Sequence, residues 1–330
     1  MKTAFLMGEK TLDTVFNQKA LDYFYSLGEV SFNTGSLPTA KENIISAIKN
    51  ADIAITSWGN TSLGGDILSA CPALRLVAHA AGSVKPVVSD ELWEKNIKVL
   101  SSACPLGEGV AETALGFTIS ACKNFYNVNS HIHAGEWNKG REDIRELFDL
   151  NIGVIGSGWA GRHYIRLLKN FHVNILCYDP FVSKEDLLAL GAKKAELTEL
   201  LKNSDVVSIH APSIPATRHM INRETLALMK KSAVLINTAR GTIIDEAALF
   251  EHMAAGNLKY ACLDVFDPEP PSVENPLFGL ENVIATPHLA GLAQNGLKRI
   301  GMFVREETEK FLKGLPMRGE VTKEMLANMA

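Results

Sequence analysis

Asn151-Ile152-Gly153-Val154-Ile155-Gly156-Ser157-Gly158-Trp159-Ala160-Gly161-Arg162 is the stretch from which the rest of this chain is read. It opens on apolar residues that suit a buried strand and ends in glycines spaced as GxGxxG. From Gly158 to Phe171 the pattern turns helical, with Ile165, Leu167 and Leu168 on one side. Strand, glycine turn and helix form the unit that takes a dinucleotide pyrophosphate. Gly156 permits the tight turn, Gly158 lets the backbone approach the phosphates, and Gly161 lets the helix pack close to the strand. The N–H groups opening such a helix, here from Ser157 through Trp159 and Ala160, carry a partial positive charge toward an anion. Taken alone, the spacing also fits an ordinary turn between a strand and a helix.

The sequence that follows narrows the choice. Val173-Asn174-Ile175-Leu176-Cys177-Tyr178-Asp179 reads as a second strand, and its terminal acid lies about 20 residues past the glycines, where the ribose hydroxyls of NAD are held. A carboxylate there repels the 2′-phosphate of NADP, and Pro180 and Phe181 supply no cation to reverse that preference. NAD is therefore the expected cofactor. The plainer reading of Asp179 is a turn residue at a strand end.

Bulk properties exclude several classes. The chain has 330 residues, is 46% hydrophobic and 21% charged, and has a formal net charge of -4. That length suits two domains of ordinary size. The acidic balance argues against nucleic acid and anionic membrane as partners. Cys71, Cys104, Cys122, Cys177 and Cys262 are scattered and odd in number. They suit buried thiols in a reducing cytoplasm, and no CxxC or Cys/His cluster suggests a metal. The N-terminal apolar run, Ala4 to Met7, is too short for a signal peptide, and no run has the length of a membrane span.

Residues before about 104 alternate short apolar runs with helical patterns. Strands are expected at Ala4–Met7, Glu29–Phe32, Asp52–Thr56, Leu74–Ala80 and Ile97–Ser101. Helices are expected over Val15–Leu27 and from Pro38 through Ile44, Ile45 and Ile48. Such alternation means βαβ units and a parallel sheet. One loop stands out, Ala80-Ala81-Gly82-Ser83-Val84-Lys85-Pro86, whose small residues leave backbone N–H groups open to an anion. A plain surface turn fits the same residues. One long helix is expected over 108–126, with irregular structure and a short helix through Leu150.

After Asp179 the alternation resumes. Strands end at His210-Ala211-Pro212, at Asn237-Thr238-Ala239-Arg240-Gly241, at Asp264-Val265-Phe266 before Asp267-Pro268-Glu269-Pro270, and at Thr286-Pro287-His288-Leu289-Ala290-Gly291. In a doubly wound sheet these ends share one edge, where ligands bind. His210, Arg240, Glu269 and His288 are thereby candidates for a common site. Each has a plainer role when taken alone: a structural histidine, a surface ion pair, a turn residue before proline.

Together the glycine turn, Ile236 to Gly241, Asp264-Val265-Phe266 with Glu269-Pro270, and Thr286 to Gly291 resemble the D-isomer-specific 2-hydroxyacid dehydrogenases, and the likeness covers nearly the whole chain. The resemblance implies two doubly wound α/β domains, with a Rossmann NAD domain (105–292) inserted in a flavodoxin-like catalytic domain (1–104 and 293–330). It implies that Arg240 binds the substrate carboxylate and carbonyl, that His288 is the acid/base, and that Glu269 pairs with His288. Thr217, Asn237 and Asp264 would lie around the nicotinamide and ribose, and His210-Ala211-Pro212 near the adenosine. Thr238 and Ala239 belong to the same cofactor-lining motif. The family commonly has Gly-Val-Asp and a further Asp where this chain has Gly82-Ser83-Val84-Lys85-Pro86. The family's longer phosphoglycerate dehydrogenases carry a regulatory domain, and none is expected after Ala330.

The chemistry fits these residue types. Reducing a 2-oxo acid adds a hydride to the carbonyl carbon and a proton to its oxygen. A histidine titrates near neutrality and supplies that proton, while a neighbouring carboxylate stabilises its imidazolium form. An arginine grips a carboxylate in bidentate fashion. The substrate carboxylate is expected between Arg240 and the backbone N–H groups of Ala81, Gly82 and Ser83, with His288 at the carbonyl. Arg75 is the one arginine before Arg141, so an unphosphorylated acid such as glyoxylate or pyruvate is preferred over phosphohydroxypyruvate. Lys85 either meets a second anionic group or, as preferred, points to solvent. The rival class is an NAD-sensing protein like the C-terminal-binding corepressors, which keep the same Arg/Glu/His set. A homodimer is expected through the helix around Val110 to Phe125 and the segment near Trp137.

Overall fold

Apolar runs that are buried on both faces form the strands of two sheets. In chain order the strands are β1 (Lys2–Phe5), β2 (Glu29–Phe32), β3 (Ile53–Thr56), β4 (Leu76–His79), β5 (Lys98–Ser101), β6 (Asn151–Ile155), β7 (Asn174–Tyr178), β8 (Lys193–Lys194), β9 (Val206–Ile209), β10 (Val234–Asn237), β11 (Tyr260–Leu263), β12 (Val283–Ala285) and β13 (Glu320–Val321). This computed structural model describes every residue except Ser36, Pro38 and Ala330. The chain divides into one unit of Met1–Leu106 with Leu292–Ala330, and a second of Gly107–Gly291.

In the first unit the strand order is β13-β5-β4-β3-β1-β2. All neighbours run parallel except β13, which closes the edge antiparallel to β5. Without β13 this is the flavodoxin order. In the second unit the order is β12-β11-β10-β9-β6-β7-β8, parallel throughout. The strands after β6 are thus laid out on both sides of it in the dinucleotide-binding order. Alternate strand residues serve opposite faces. Ile155, Val207, Ile209, Leu235 and Leu263 join one core, while Val154, Cys177, Val206, Ile236 and Cys262 join the other. All five cysteines are buried, and none forms a disulfide. Among the described residues no helix is long and apolar enough to cross a membrane.

The helices depart from expectation where single residues break them. The helix expected over Val15–Leu27 is two helices, Glu9–Val15 and Gln18–Leu27. Asn17 separates them with an extended backbone, and its side chain accepts the Ala20 N–H as an N-cap. The helix expected from Pro38 runs over Lys41–Ile48, and Pro38 itself lies outside the described residues. The helix expected over 108–126 starts earlier and stops earlier, at Ala103–Cys122, and a second follows at Phe125–His133. Asn124 makes the break in the left-handed region at φ 57°, a conformation that asparagine tolerates better than most residues. Its amide donates to Gly140 O and accepts from Tyr260 Oη, so tertiary contacts hold the break in place. Ala111, Ala114, Phe117 and Ala121 of the longer helix are buried in the core of the second unit.

His79, at the end of β4, is only 3% exposed, and burial pushes its pKa down to about 4. The unfolded chain takes up this proton near pH 6.5 and the folded one does not, so stability falls as pH drops from about 6.5 toward 4. His79 alone contributes about 3 kcal/mol to that loss. Thermal unfolding followed between pH 7 and 4.5 is expected to show the decline, with a flatter profile in His79→Gln.

Candidate active site

The register of the second sheet aligns the ends of its strands. Ile155 pairs with Tyr178 on one side and Ile209 on the other, Asn237 pairs with Ile209 and Leu263, and Leu263 pairs with Ala285. The next residue on each strand is therefore Asp179, Gly156, His210, Thr238, Asp264 and Thr286, in one row along the carboxyl edge. Between β6 and β9 the strand order reverses, which is where such sheets bind ligands.

The glycine turn sits at that reversal. Gly156 has φ +90°, and a Cβ on it would lie 2.7 Å from Ala211 N. A Cβ on Gly161 would lie 2.1 Å from Gly156 O, so the helix Trp159–Leu168 rests directly on the turn. Gly158 differs: no heavy atom lies within 4 Å of where its Cβ would be. The open space in front of Gly158 thus lies at the helix N-terminus, whose first-turn amides lack acceptors within the helix. Trp159 is exposed and stacks on His163. Ala160 is met by Gly107, where a Cβ would come 3.0 Å from Ala160 N. Sequence reasoning missed Gly107. Its signal was glycine at 107 and 109 inside a helix, a costly choice unless another backbone passes close by.

Asp179 is tied to the same turn. Its Oδ2 accepts both the N–H and the Oγ of Ser157, each at 2.8 Å, and Oδ1 accepts Phe181 N–H at 3.0 Å. On the other side of the turn the His210 ring is buried, which pushes its pKa down to about 3, so it is neutral. Its Nε2 meets Ser208 Oγ at 2.9 Å, and its Nδ1 is buried without a partner. Thr238 Oγ1 is likewise buried without a partner. Unmet polar atoms beside a glycine with open space in front of it fit a dinucleotide. Gly156–Gly161 would face its pyrophosphate, Asp179 its adenosine ribose, and Thr238 and Ala239 its nicotinamide end. Ala211 packs beneath Gly156, and Pro212 O accepts from Thr217 Oγ1 at 2.6 Å. The Thr217 hydroxyl, which also accepts the Ile214 N–H, is thus spent within its own loop.

Arg240 is presented by a turn that Asn237 ties. The Asn237 side chain is fully buried, donates to Arg240 O at 2.9 Å and accepts Ala239 N–H at 3.0 Å. A Cβ on Gly241 would lie 2.0 Å from Phe266 C, so only glycine lets this turn pack on the chain leading to Glu269. Arg240 is half-buried and bonds Ala239 O. Burial lowers its pKa and the charge of Glu269 pushes it back up.

Glu269 and His288 meet directly, with Oε2 2.7 Å from Nδ1. The other carboxylate oxygen accepts Phe266 N–H at 3.1 Å, which orients the pair. His288 has φ +50°, and Asp264 holds it there. The Asp264 carboxylate, wholly buried, accepts from Thr286 Oγ1 at 2.5 Å and from the N–H groups of Leu289 and Ala290 at 2.9 Å. Its carbonyl accepts His288 N–H at 2.8 Å. Asp264 and Asn237 thus shape the loops that carry His288 and Arg240, a role that the sequence reading did not give them.

Ala81, Gly82 and Ser83 belong to the first unit, in the loop after β4. Lys85 does not simply point to solvent as preferred from sequence: its ammonium donates to Met329 O at 2.5 Å. Among the described residues no group of three or more His, Cys, Asp or Glu is placed to hold a metal.

Residues 115–290 match the family model described as the NAD-binding domain of the D-isomer specific 2-hydroxyacid dehydrogenases. The chain is 35% identical over 299 residues to the D-3-phosphoglycerate dehydrogenase of Methanocaldococcus jannaschii, covering 90% of this chain and 56% of that one. It is 33% identical over 277 residues to the hydroxypyruvate reductase of Thermotoga maritima, covering 83% and 88%. The solved structure of D-2-hydroxyisocaproate dehydrogenase matches with a TM-score of 0.81 at 24% identity, over 98% of this chain and 100% of that one, a likeness of fold. The chain spans little more than half the length of the phosphoglycerate dehydrogenases that it matches first.

Two substitutions test the packing just described. Gly107→Val should weaken NADH binding at least about tenfold, because the new side chain displaces the Ala160 backbone. Asp264→Asn should lower the thermal midpoint, since an amide cannot accept all three bonds and brings an unmatched donor into a buried site. Isothermal titration of NADH and differential scanning calorimetry check them in turn.

Proposed function

The chain belongs to the D-isomer specific 2-hydroxyacid dehydrogenases, and from that premise we propose that it interconverts a small 2-oxo acid and the corresponding D-2-hydroxy acid. The observation that carries the reading is the His288–Glu269 pair, 2.7 Å apart and mounted on the strand-end row that begins at the glycine turn. When bound, NADH supplies the hydride. With Nδ1 facing Glu269, Nε2 is the nitrogen left to give its proton to the carbonyl oxygen, and Glu269 stabilises the charge on the ring in the reverse direction. Arg240 binds the acid's carboxylate and polarises the carbonyl. Asp179 favours NAD over NADP, because a 2′-phosphate would meet its negative charge.

The substrate proposed is unphosphorylated, of the size of glyoxylate, pyruvate or hydroxypyruvate. Two observations support this: Lys85 is held by the C-terminal backbone, and Arg75 lies over the Phe311 ring. The name of the Thermotoga relative, a hydroxypyruvate reductase of similar length, points the same way. Five buried cysteines outside any disulfide suit a cytoplasmic enzyme. We also assign it as a homodimer. Phe125, Ile132 and Trp137 are exposed along one depression of the second unit, completed by Val128, Lys139 and Arg141. An apolar patch of this kind marks an interaction site, and a self-complementary one closes a dimer. The main contact proposed is the helix Phe125–His133 with the segment near Trp137.

His288→Ala should lower kcat at least about a hundredfold while NADH still binds. A variant with near-normal kcat on every 2-oxo acid in a panel would remove His288 from the reaction. Asp179→Ser combined with Pro180→Arg should raise the relative kcat/KM with NADPH; a wild-type enzyme that already prefers NADPH refutes the role of Asp179. Light scattering should give a dimer for the wild-type chain and a monomer for Trp137→Glu.

A further inference from the structure

Glu269 reaches His288 from a stretch of chain with few means of holding itself in place. Asp267 to Pro276 contains prolines at 268, 270, 271 and 276, and a proline has no N–H to donate. The middle of the stretch projects outward, with Val273 94% exposed. Anchoring therefore falls to its neck, where the chain leaves Phe266 and returns at Asn275. One carboxylate closes that neck. Glu246 accepts the Asp267 N–H on one oxygen at 2.8 Å and the Asn275 side-chain amide on the other at 2.9 Å. The orientation of the Asn275 amide is set by its own carbonyl oxygen, which accepts Leu277 N–H at 3.0 Å.

Glu246 is itself fixed. It opens the helix Glu246–Ala254, whose N-cap Asp245 accepts Ala248 N–H at 3.1 Å. Asp245 N–H donates to Ile221 O at 2.8 Å, and Ile244 pairs with Ile221 as an isolated bridge. The same segment begins at Arg240, and its turn packs on the same neck. A Cβ on Gly241 would lie 2.0 Å from Phe266 C and 2.6 Å from Asp267 N. Two successive N–H groups of the neck then serve the two glutamates. Phe266 N–H donates to Glu269 Oε1 at 3.1 Å, and Asp267 N–H donates to Glu246. These peptides share the Phe266 Cα, so a shift in one passes to the other. Releasing Asp267 from Glu246 therefore disturbs the bond that points Glu269 Oε2 at His288 Nδ1.

We propose that Glu246 is a positioning residue for the reaction: by tying Asp267 to Asn275 it holds Glu269 against His288. This deepens the dehydrogenase reading above and rests on it. Both oxygens of Glu246 are spent on the neck, so it acts on the chemistry only through Glu269. The alternative is a glutamate that only favours the start of its helix, where a negative charge is stabilising. Such a residue acts on stability and shows no coupling to Glu269 in the kinetics.

The test is steady-state reduction of a 2-oxo acid by NADH with the full chain. Glu246→Ala should lower kcat about tenfold, the scale of losing hydrogen bonds to a charged acceptor, and should leave the KM for NADH within about twofold. In a Glu269→Ala background the same change should cost no more than about twofold, because no pairing is left to position. Equal losses in the two backgrounds overturn the assignment. A second measurement exchanges the two groups of the neck. Glu246→Gln leaves one donor facing another whichever way its amide turns, and Asn275→Asp sets two carboxylates against each other, so each alone should lower kcat about tenfold. Combined, they restore both bonds: the amide at 246 accepts Asp267 N–H and donates to the carboxylate at 275, which still accepts Leu277 N–H. The combination should return kcat to within about threefold of wild type. A combination no faster than its single variants overturns the assignment, and this exchange decides alone if Glu246→Ala does not fold. A wild-type chain that reduces no 2-oxo acid removes the reading beneath the proposal, whereas an active one whose kcat is indifferent to Glu246 removes the proposal alone.

Discussion

The buried carboxylate of Asp264 is the constraint on which the candidate chemistry hangs. A charge with no exposure is costly unless hydrogen bonds replace its water. Here the replacements all come from one loop, a threonine hydroxyl and two successive backbone amides. The carboxylate can be buried only if Thr286–Ala290 folds over it, and that loop can fold over it only with His288 in the left-handed region at φ +50°. A histidine there is strained relative to an extended backbone. The strain is offset by the bonds to Asp264, so the position of the imidazole is set from beneath and not by its own preferences. Glu269 then needs only to reach Nδ1, and the Phe266 N–H holds its other oxygen for that purpose.

Close approach of backbones is the second theme of the site. Gly156, Gly161, Gly241 and Gly107 each have another backbone where a Cβ would be. Gly158 alone among the glycines of the fingerprint has open space in front of it. The fingerprint therefore contains two kinds of glycine, two that make the turn compact and one that leaves room at the helix N-terminus. The parallel register converts this into a site. Because Ile155, Ile209 and Asn237 pair in sequence across the sheet, whatever follows them must share an edge.

Much of this was legible in the sequence because it depends on local pattern. Continuous apolar runs marked the strands, and glycine or proline after each run marked the carboxyl edge. Arg240, Glu269 and His288 became candidates by that rule together with the family likeness. What was not legible depends on contacts far apart in the chain. Asn124 breaks a helix because Gly140 and Tyr260 hold its amide, and neither is visible from residues 108 to 126. Asn237 and Asp264 looked like ligand-facing residues, yet their side chains are consumed in shaping loops. Lys85 looked free for solvent until Met329, at the far end of the chain, was seen to accept from it. Asn17 is the exception, a local N-cap signal that an apolar periodicity running through it concealed.

The two units present backbone amides by different physical means. In the second, the N–H groups at Gly158 are released by the start of a helix, and the aligned peptides of that helix add a partial charge. Glycine is required there because a side chain would occupy the open space. In the first, no helix begins at the loop after β4; the peptides are inverted one at a time by acceptor-seeking side chains, Ser57 and Ser101, and by the Ser102 amide. A helix terminus tolerates change in its neighbours, since its amides are fixed by the helix itself. An inverted loop has no such insurance, because each amide is only as well placed as the side chain that pulls the preceding carbonyl inward. The composition of the first unit at these positions is therefore under a constraint that no glycine fingerprint records, and small polar residues after a parallel strand are the form it takes.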